Sequence, residues 1–189
     1  MVTWIIIGAV VVVLLFLVVG AYNRLVALDQ SADQSFADID VQLRQRQDLI
    51  PNLVEAVKGY AGHERGTLEA VTQARAAAQG AGSVNEKVQA ENMLTAALGR
   101  LFAVAEAYPD LKASTNFLQL QNELSDIENK LAAARRFFNN AVAEFNAVRR
   151  QFPTVLFAGL VGFGSDKPFF DLGEADRAAM NAAPPQVKF

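Results

Sequence analysis

The side chains that could do chemistry in this sequence are few and far apart. His63, in Gly62-His63-Glu64-Arg65, is the single imidazole among 189 residues, and there is no cysteine. A di-metal site inside a helical bundle needs two Glu-x-x-His pairs, which one histidine cannot supply. Without thiols there are no disulfides, no thiolate nucleophile and no Cys-based metal site. Neither a G-x-S-x-G elbow nor a Walker loop nor a G-x-G-x-x-G appears, and Gly159, Gly162 and Gly164 follow a helical pattern rather than a strand. Glu123 and Asp126 have the spacing of a solvated pair on a helix, not of an acid and a base facing each other across a cleft. No catalytic, cofactor-binding or metal-ligating residue is therefore assigned, and a protein without enzymatic activity or cofactor is expected.

Two polar features interrupt otherwise apolar patterns. Arg46 breaks an apolar helical stripe, and its long stem is expected to lie along that surface while the charged head reaches water. Asn139 and Asn146 are seven residues apart and Arg135 lies one turn before Asn139, so the three share a strip of one helical face. Buried, that strip would fix helix register through cross-helix hydrogen bonds; solvated, it would be an ordinary polar flank.

The elements that hold these residues begin with an uncharged stretch, Trp4 to Tyr22, WIIIGAVVVVLLFLVVGAY. Its length, at 1.5 Å per residue, is close to the ~30 Å hydrocarbon core of a bilayer. It is apolar on every face, whereas a soluble helix needs only one apolar stripe. A cleaved secretory signal would carry Lys or Arg before the apolar core and a small-x-small exit, and neither is present. The expectation is an uncleaved membrane anchor over residues 1–22, a bundle over 23–153, and a tail over 154–189 that is apolar and then disordered. Met1, Val2 and Thr3 bear no basic side chain, whereas Arg24, Arg44 and Arg46 follow the span. The positive-inside rule then places a single-pass chain with its N-terminus outside and its bundle in the cytoplasm.

Outside the span the composition is that of an ordinary soluble surface: charged residues make up 20% of the chain, the net charge is −3, and the pI is about 5.2. Nucleic acid is excluded as a partner, because phosphate binding needs clustered Lys and Arg. The lipid bilayer is the expected partner.

From Leu25 to Ala78 the residues Phe36, Ile39, Leu43, Ile50, Leu53, Val57, Tyr60, Leu68 and Val71 recur at helical steps. Pro51 either kinks this helix or starts a new one, giving three long helices or four. Gly59, Gly62 and Gly66 weaken it again, so a bend near Gly62 is expected. Ser83 and Glu86 have capping-box spacing and open a second helix that runs to Tyr108, with Pro109 as its breaker. Phe117, Leu124, Leu131, Phe138, Phe145 and Phe152, interleaved with Leu120, Ile127, Ala134, Ala141 and Val148, form a heptad seam over about five repeats. Pro153 stops that helix. The run Val155 to Phe163 then either caps the end of the bundle or exposes an apolar patch to a partner, a second subunit or lipid, and Ala182 to Phe189 is expected to be disordered. The fold class is all-α: a transmembrane helix running directly into an antiparallel up-and-down bundle, with an irregular C-terminal tail.

Three stretches carry a family resemblance: Tyr22 to Glu64, with Asp48-Leu49-Ile50-Pro51-Asn52-Leu53-Val54; Leu94 to Asn129, with Tyr108-Pro109-Asp110-Leu111-Lys112-Ala113; and ARRFFNNAVAEFNAVRRQFP from Ala134 to Pro153. Together with Gly162 and Phe163 they resemble the LemA family over nearly the whole chain. The resemblance implies a bacterial single-pass membrane protein, hence the inner membrane, with a helical bundle. It supplies no catalytic residues, and relatives associated with magnetosomes point to membrane shaping or assembly. The expected function is a membrane-anchored, non-enzymatic scaffold that forms homo-oligomers and meets other membrane proteins. The second reading is a tethered sensing domain that binds a small ligand or peptide between its helices.

Overall fold

A computed structural model describes residues 1–170 of the chain, and the disorder expected for Ala182 to Phe189 lies outside those residues. Among the described residues the fold is all-α. Helix α1 spans Val2–Lys58, α2 Arg65–Gly80, α3 Val84–Glu106, the one-turn α4 Pro109–Lys112, and α5 Thr115–Arg150; a short 3-10 turn follows at Thr154–Leu156.

Helix α1 runs without interruption from the apolar stretch into the packed part of the chain. No glycine or proline occurs from Ala21 to Ile50 to stop it. Its apolar N-terminal part is exposed on all sides, and it is long and apolar enough to cross a membrane. The first buried residue is Leu25, three positions beyond Tyr22.

Backbone packing divides the chain into two units. In the first, Met1–Leu43 with Asp126–Phe169, α1 and α5 run antiparallel: Arg24 lies near Glu144 at 3.4 Å and the ring of Phe36 near that of Phe138 at 5.4 Å. Both helices present buried residues seven apart, Leu25, Ala32 and Ile39 on α1 against Leu131, Phe138 and Phe145 on α5. That is the repeat that keeps one seam of each helix facing the other.

The second unit includes Arg44–Ser125. Its buried residues are Ile50, Leu53 and Val57 of α1, Leu68 and Val71 of α2, Leu94, Leu98 and Leu101 of α3, and Phe117, Leu120 and Leu124 of α5. Helices α2 and α3 pack on each other across the short link Ala81–Ser83, as a short connection requires of antiparallel neighbours.

The heptad seam of α5 is buried at Phe117, Leu124, Leu131, Phe138 and Phe145 and half-buried at Ile127 and Ala134. Phe152 departs from it and is exposed, because α5 ends at Arg150 and the chain turns away. The break in the first helical pattern falls at Gly59–Glu64, not at Pro51: α1 passes through the proline and ends at Lys58. Pro109, expected as a breaker, also starts a helix as the first residue of α4, where its missing N–H is no loss.

The capping box of α3 is present with both of its bonds. The Ser83 hydroxyl accepts from the Glu86 N–H at 3.3 Å, and the Glu86 carboxylate accepts from the N–H groups of Ser83 at 2.9 Å and Gly82 at 3.0 Å. The backbone N–H of Ser83 first, then that of Gly82, then the Ser83 side chain, hold the Glu86 carboxyl below its ordinary value of 4.5. A depressed folded-state pKa gives stability that is present above about 4.5 and lost as the pH falls through the lower folded value. Glu86→Gln should therefore lose stability at neutral pH and show a shallower acid dependence than wild type below pH 4.5, read from denaturant midpoints across pH. Parallel acid profiles would contradict the cap.

Candidate functional site

Two assemblies of polar side chains stand out among the described residues, one in each unit: the first is largely buried, and the second is part-exposed around the buried Asn146. The first is set up by Pro51. A proline inside a helix has no N–H to give to the carbonyl four residues earlier, which here is that of Gln47. Arg75 of α2 supplies the missing donor, with Nε at 2.7 Å from the Gln47 carbonyl oxygen. Around the same turn of α1, Arg46 and Gln47 are both buried. Arg46 Nη1 donates to Glu91 Oε2 of α3 at 2.5 Å, Nη2 donates to the Thr95 hydroxyl at 2.9 Å, and Gln47 Nε2 donates to Glu91 Oε1 at 3.1 Å.

Arg46 and Glu91 are each only 1% exposed. The expected snorkelling of Arg46 is thus corrected. Its guanidinium does not reach for water, because Glu91 stands opposite it and both carboxylate oxygens are engaged. A buried ion pair is retained when further hydrogen bonds take up its other donors and acceptors, and here Thr95 takes Arg46 Nη2 and Gln47 takes Glu91 Oε1.

The second assembly holds the segment after α5 against the first unit. The Asn146 side chain is buried and pairs with the backbone of Lys167 in both directions: Nδ2 donates to the Lys167 carbonyl at 3.0 Å, and the Lys167 N–H donates to Oδ1 at 2.9 Å. Lys167 Nζ then reaches α1, at 2.9 Å from Asp29 and 2.6 Å from Asp33, and lies over the Phe145 ring at 5.6 Å. Partial burial pushes the Lys167 ammonium down, but the hydrogen bonds to Asp33 and Asp29 outweigh it and its pKa is raised above 10.5. Arg149 and Arg150 both pair with Asp166. Asn146 therefore secures the returning chain instead of setting the register between helices. Asn139 and Arg135, on the same strip, are half-buried.

Neither assembly has the form of a reaction centre. The charges of Arg46, Arg149, Arg150 and Lys167 are paired with carboxylates, and Arg75 donates to a backbone carbonyl. His63 is exposed in the turn after α1, and Glu123 is exposed and accepts from Gln119 at 2.9 Å. Among the described residues no group of three or more His, Asp or Glu side chains could hold a metal ion.

Comparison with known proteins bears on what these assemblies belong to. The LemA family profile matches residues 35–189. The chain belongs to the LemA family. Protein LemA of Metamycoplasma hominis is 27% identical over 133 residues, covering 70% of this chain and 61% of the relative. Magnetosome protein MamQ of Magnetospirillum gryphiswaldense is 24% identical over 168 residues, covering 75% and 62%. Magnetosome protein MamQ 1 of Paramagnetospirillum magneticum is also 24% identical with the same coverage. The chain thus spans about three fifths of the length of the curated relatives it matches. The LemA match contains the whole Arg46–Glu91 assembly and most of the second one, and it starts beyond the apolar stretch.

Sequence reasoning did not find Gln47, Arg75, Glu91 or Thr95 as a group. Two signals were available: the carbonyl that Pro51 must leave without its helical donor, and Glu91, which lies three residues before Leu94 in the apolar stripe of α3. An arginine and a glutamate each set into an apolar stripe are natural partners.

Removing one member of a buried ion pair leaves the other charge uncompensated, at about 3–5 kcal/mol. Arg46→Met should destabilise the fold by that amount, and adding Glu91→Leu should recover most of it, as measured by denaturant unfolding of the full chain in detergent. A single substitution without effect, or a double no better than the single, would contradict the pairing.

Proposed function

We propose that this LemA-family chain is a membrane-anchored, non-enzymatic scaffold of the bacterial inner membrane that works by self-association and by contact with other membrane proteins. The observation that carries this reading is α1. One helix supplies an apolar stretch that is left exposed among the described residues and, without a break, the first packed helix beyond it. An apolar helix of that length exposed on every side is stable in lipid and not in water. The magnetosome designation of two relatives supports a role in organising membrane. The basic residues after the span support a cytoplasmic bundle, with Arg24 exposed near the exit.

The second reading, ligand sensing, is supported by an open groove of about 750 Å³ between the end of α1 and α2, where Val54 and Leu68 lie among Glu55, Lys58, Arg65 and Glu69. A size of this order and mixed apolar and charged walls suit a small polar ligand or peptide. It predicts ligand-dependent thermal stabilisation of the purified chain.

The scaffold reading is tested by chemical crosslinking in native membranes, comparing wild type with a chain carrying Gly-Pro inserted after Arg24. Wild type should give homo-oligomeric species, and the insertion, which interrupts α1 at the exit, should reduce them strongly. A wild-type chain that remains a dispersed monomer in the membrane would overturn the scaffold reading. Unchanged crosslinking in the insertion variant would overturn the role of the continuous helix in it.

A further inference from the structure

The chain after α5 combines a packed side with an exposed apolar side. Ala158 is buried in a cluster with Leu25, Phe145 and Val148, and Phe163 packs beside it with its ring 5.9 Å from that of Phe145. Gly162, at φ +94, provides the turn that brings the Phe163 N–H to the Ala158 carbonyl at 2.8 Å; a side chain there would be strained. The opposite side of the segment is left in the open: Leu160 is 87% exposed, Phe152 80%, Leu156 69% and Val155 54%. No charged residue occurs from Phe152 to Ser165.

The height of this segment relative to the anchor is fixed by its contacts. Leu25 is three residues past Tyr22, about 4.5 Å along the helix. Each headgroup layer adds about 5–7 Å outside the hydrocarbon core. A segment packed on Leu25 therefore lies at headgroup level, and its open apolar side faces whatever surrounds the exit of α1. Isolated exposed apolar residues are normal on a soluble surface, but a contiguous uncharged set at this height has the composition of an interfacial membrane segment. Asn146, Arg149 and Arg150 fasten the chain just after it at Asp166 and Lys167, so the apolar side is held outward.

We propose that the exposed side of the segment from Phe152 to Phe163 is seated in the headgroup and upper acyl region of the bilayer, beside the exit of α1, as a second membrane contact. This rests on the reading of Trp4 to Tyr22 as a span. A second contact at this point resists tilting of the first unit against the membrane, which a single helix does not.

Trp4 is the only tryptophan in the sequence, so the test uses tryptophan quenching in phosphatidylcholine vesicles whose acyl chains carry bromine near the headgroup end. Three full-length chains are reconstituted: wild type, Trp4→Phe with Leu160→Trp, and Trp4→Phe with Phe137→Trp. Phe137 is exposed on α5, eleven residues and about 16 Å from Val148 along the helix. The expected result is quenching of the indole at position 160 comparable to that of Trp4, with none at position 137. Quenching of Trp4 but not of position 160 overturns the second contact while leaving the anchor in place. A blue-shifted, unquenched indole at position 160 overturns it in favour of a protein contact, such as a second copy. Equal quenching at 137 and 160 also overturns it, since the contact would not be confined to the segment. No quenching of Trp4 means that the span reading itself fails.

Discussion

Helix α1 has to remain a helix through two places where helices ordinarily stop. Where the apolar stretch ends, water can take over backbone hydrogen bonds and the helix could stop. Here the sequence offers no glycine or proline from Ala21 to Ile50, and the side chains beyond the apolar stretch, Leu25, Ala32 and Ile39, are immediately taken up by α5. At Pro51 the helix loses a donor, and Arg75 replaces it at the Gln47 carbonyl. An unmet buried carbonyl costs a few kcal/mol, so the proline and the arginine are linked in the fold. The same turn of α1 then meets α3 through Arg46 and Glu91. Continuity of α1 is what lets one segment serve as the apolar stretch, as half of the first unit's seam and as the base of the second unit's polar assembly.

The contacts of the two polar assemblies bear on packing. A buried Arg–Glu pair adds little net stability compared with a well-packed apolar pair, but its geometry tolerates few alternatives. Leucines and alanines can slide by a turn along a heptad seam. A guanidinium shared between Glu91 and Thr95 cannot slide without leaving a charge unpaired. The Asn146–Lys167 pairing performs the equivalent task for the chain after α5, where an apolar segment would otherwise be free to collapse onto any nearby surface. Specific polar contacts thus fix positions within each unit, and apolar area supplies the stability.

Much of this was legible in the sequence because its strongest signals are periodic or compositional. The helix through the apolar stretch, the α5 seam from Phe117 to Phe145, the Ser83–Glu86 box and the stop before Pro153 emerge as read, while Phe152 falls outside the seam. The end of α1 was harder to place: Pro51 is the stronger breaker on propensity, yet a tertiary donor rescues it, whereas Gly59 and Gly62 receive no such help and the helix ends there. Arg46 was misread for a related reason. A lone arginine in an apolar stripe has two outcomes, and only the position of Glu91 on another helix decides between them. For the Val155 to Phe163 run the sequence allows capping or exposure, and the structure gives both at once, Ala158 and Phe163 inward and Leu156 and Leu160 outward. Neither outcome could be assigned by periodicity, since the segment follows no regular repeat.

The central claim, that the apolar stretch and the first packed helix are one uninterrupted helix, can be measured directly because the chain has no cysteine to confuse site-directed labelling. Spin labels introduced at Ala9 and Gln30, both exposed, bracket the exit, and pulsed dipolar spectroscopy on the reconstituted full-length protein reads their separation. An unbroken helix predicts a single narrow distance near 31 Å, from 21 residues at about 1.5 Å each. A broad distribution, or a clearly shorter mean distance, would show a joint at the end of the apolar stretch and contradict the account.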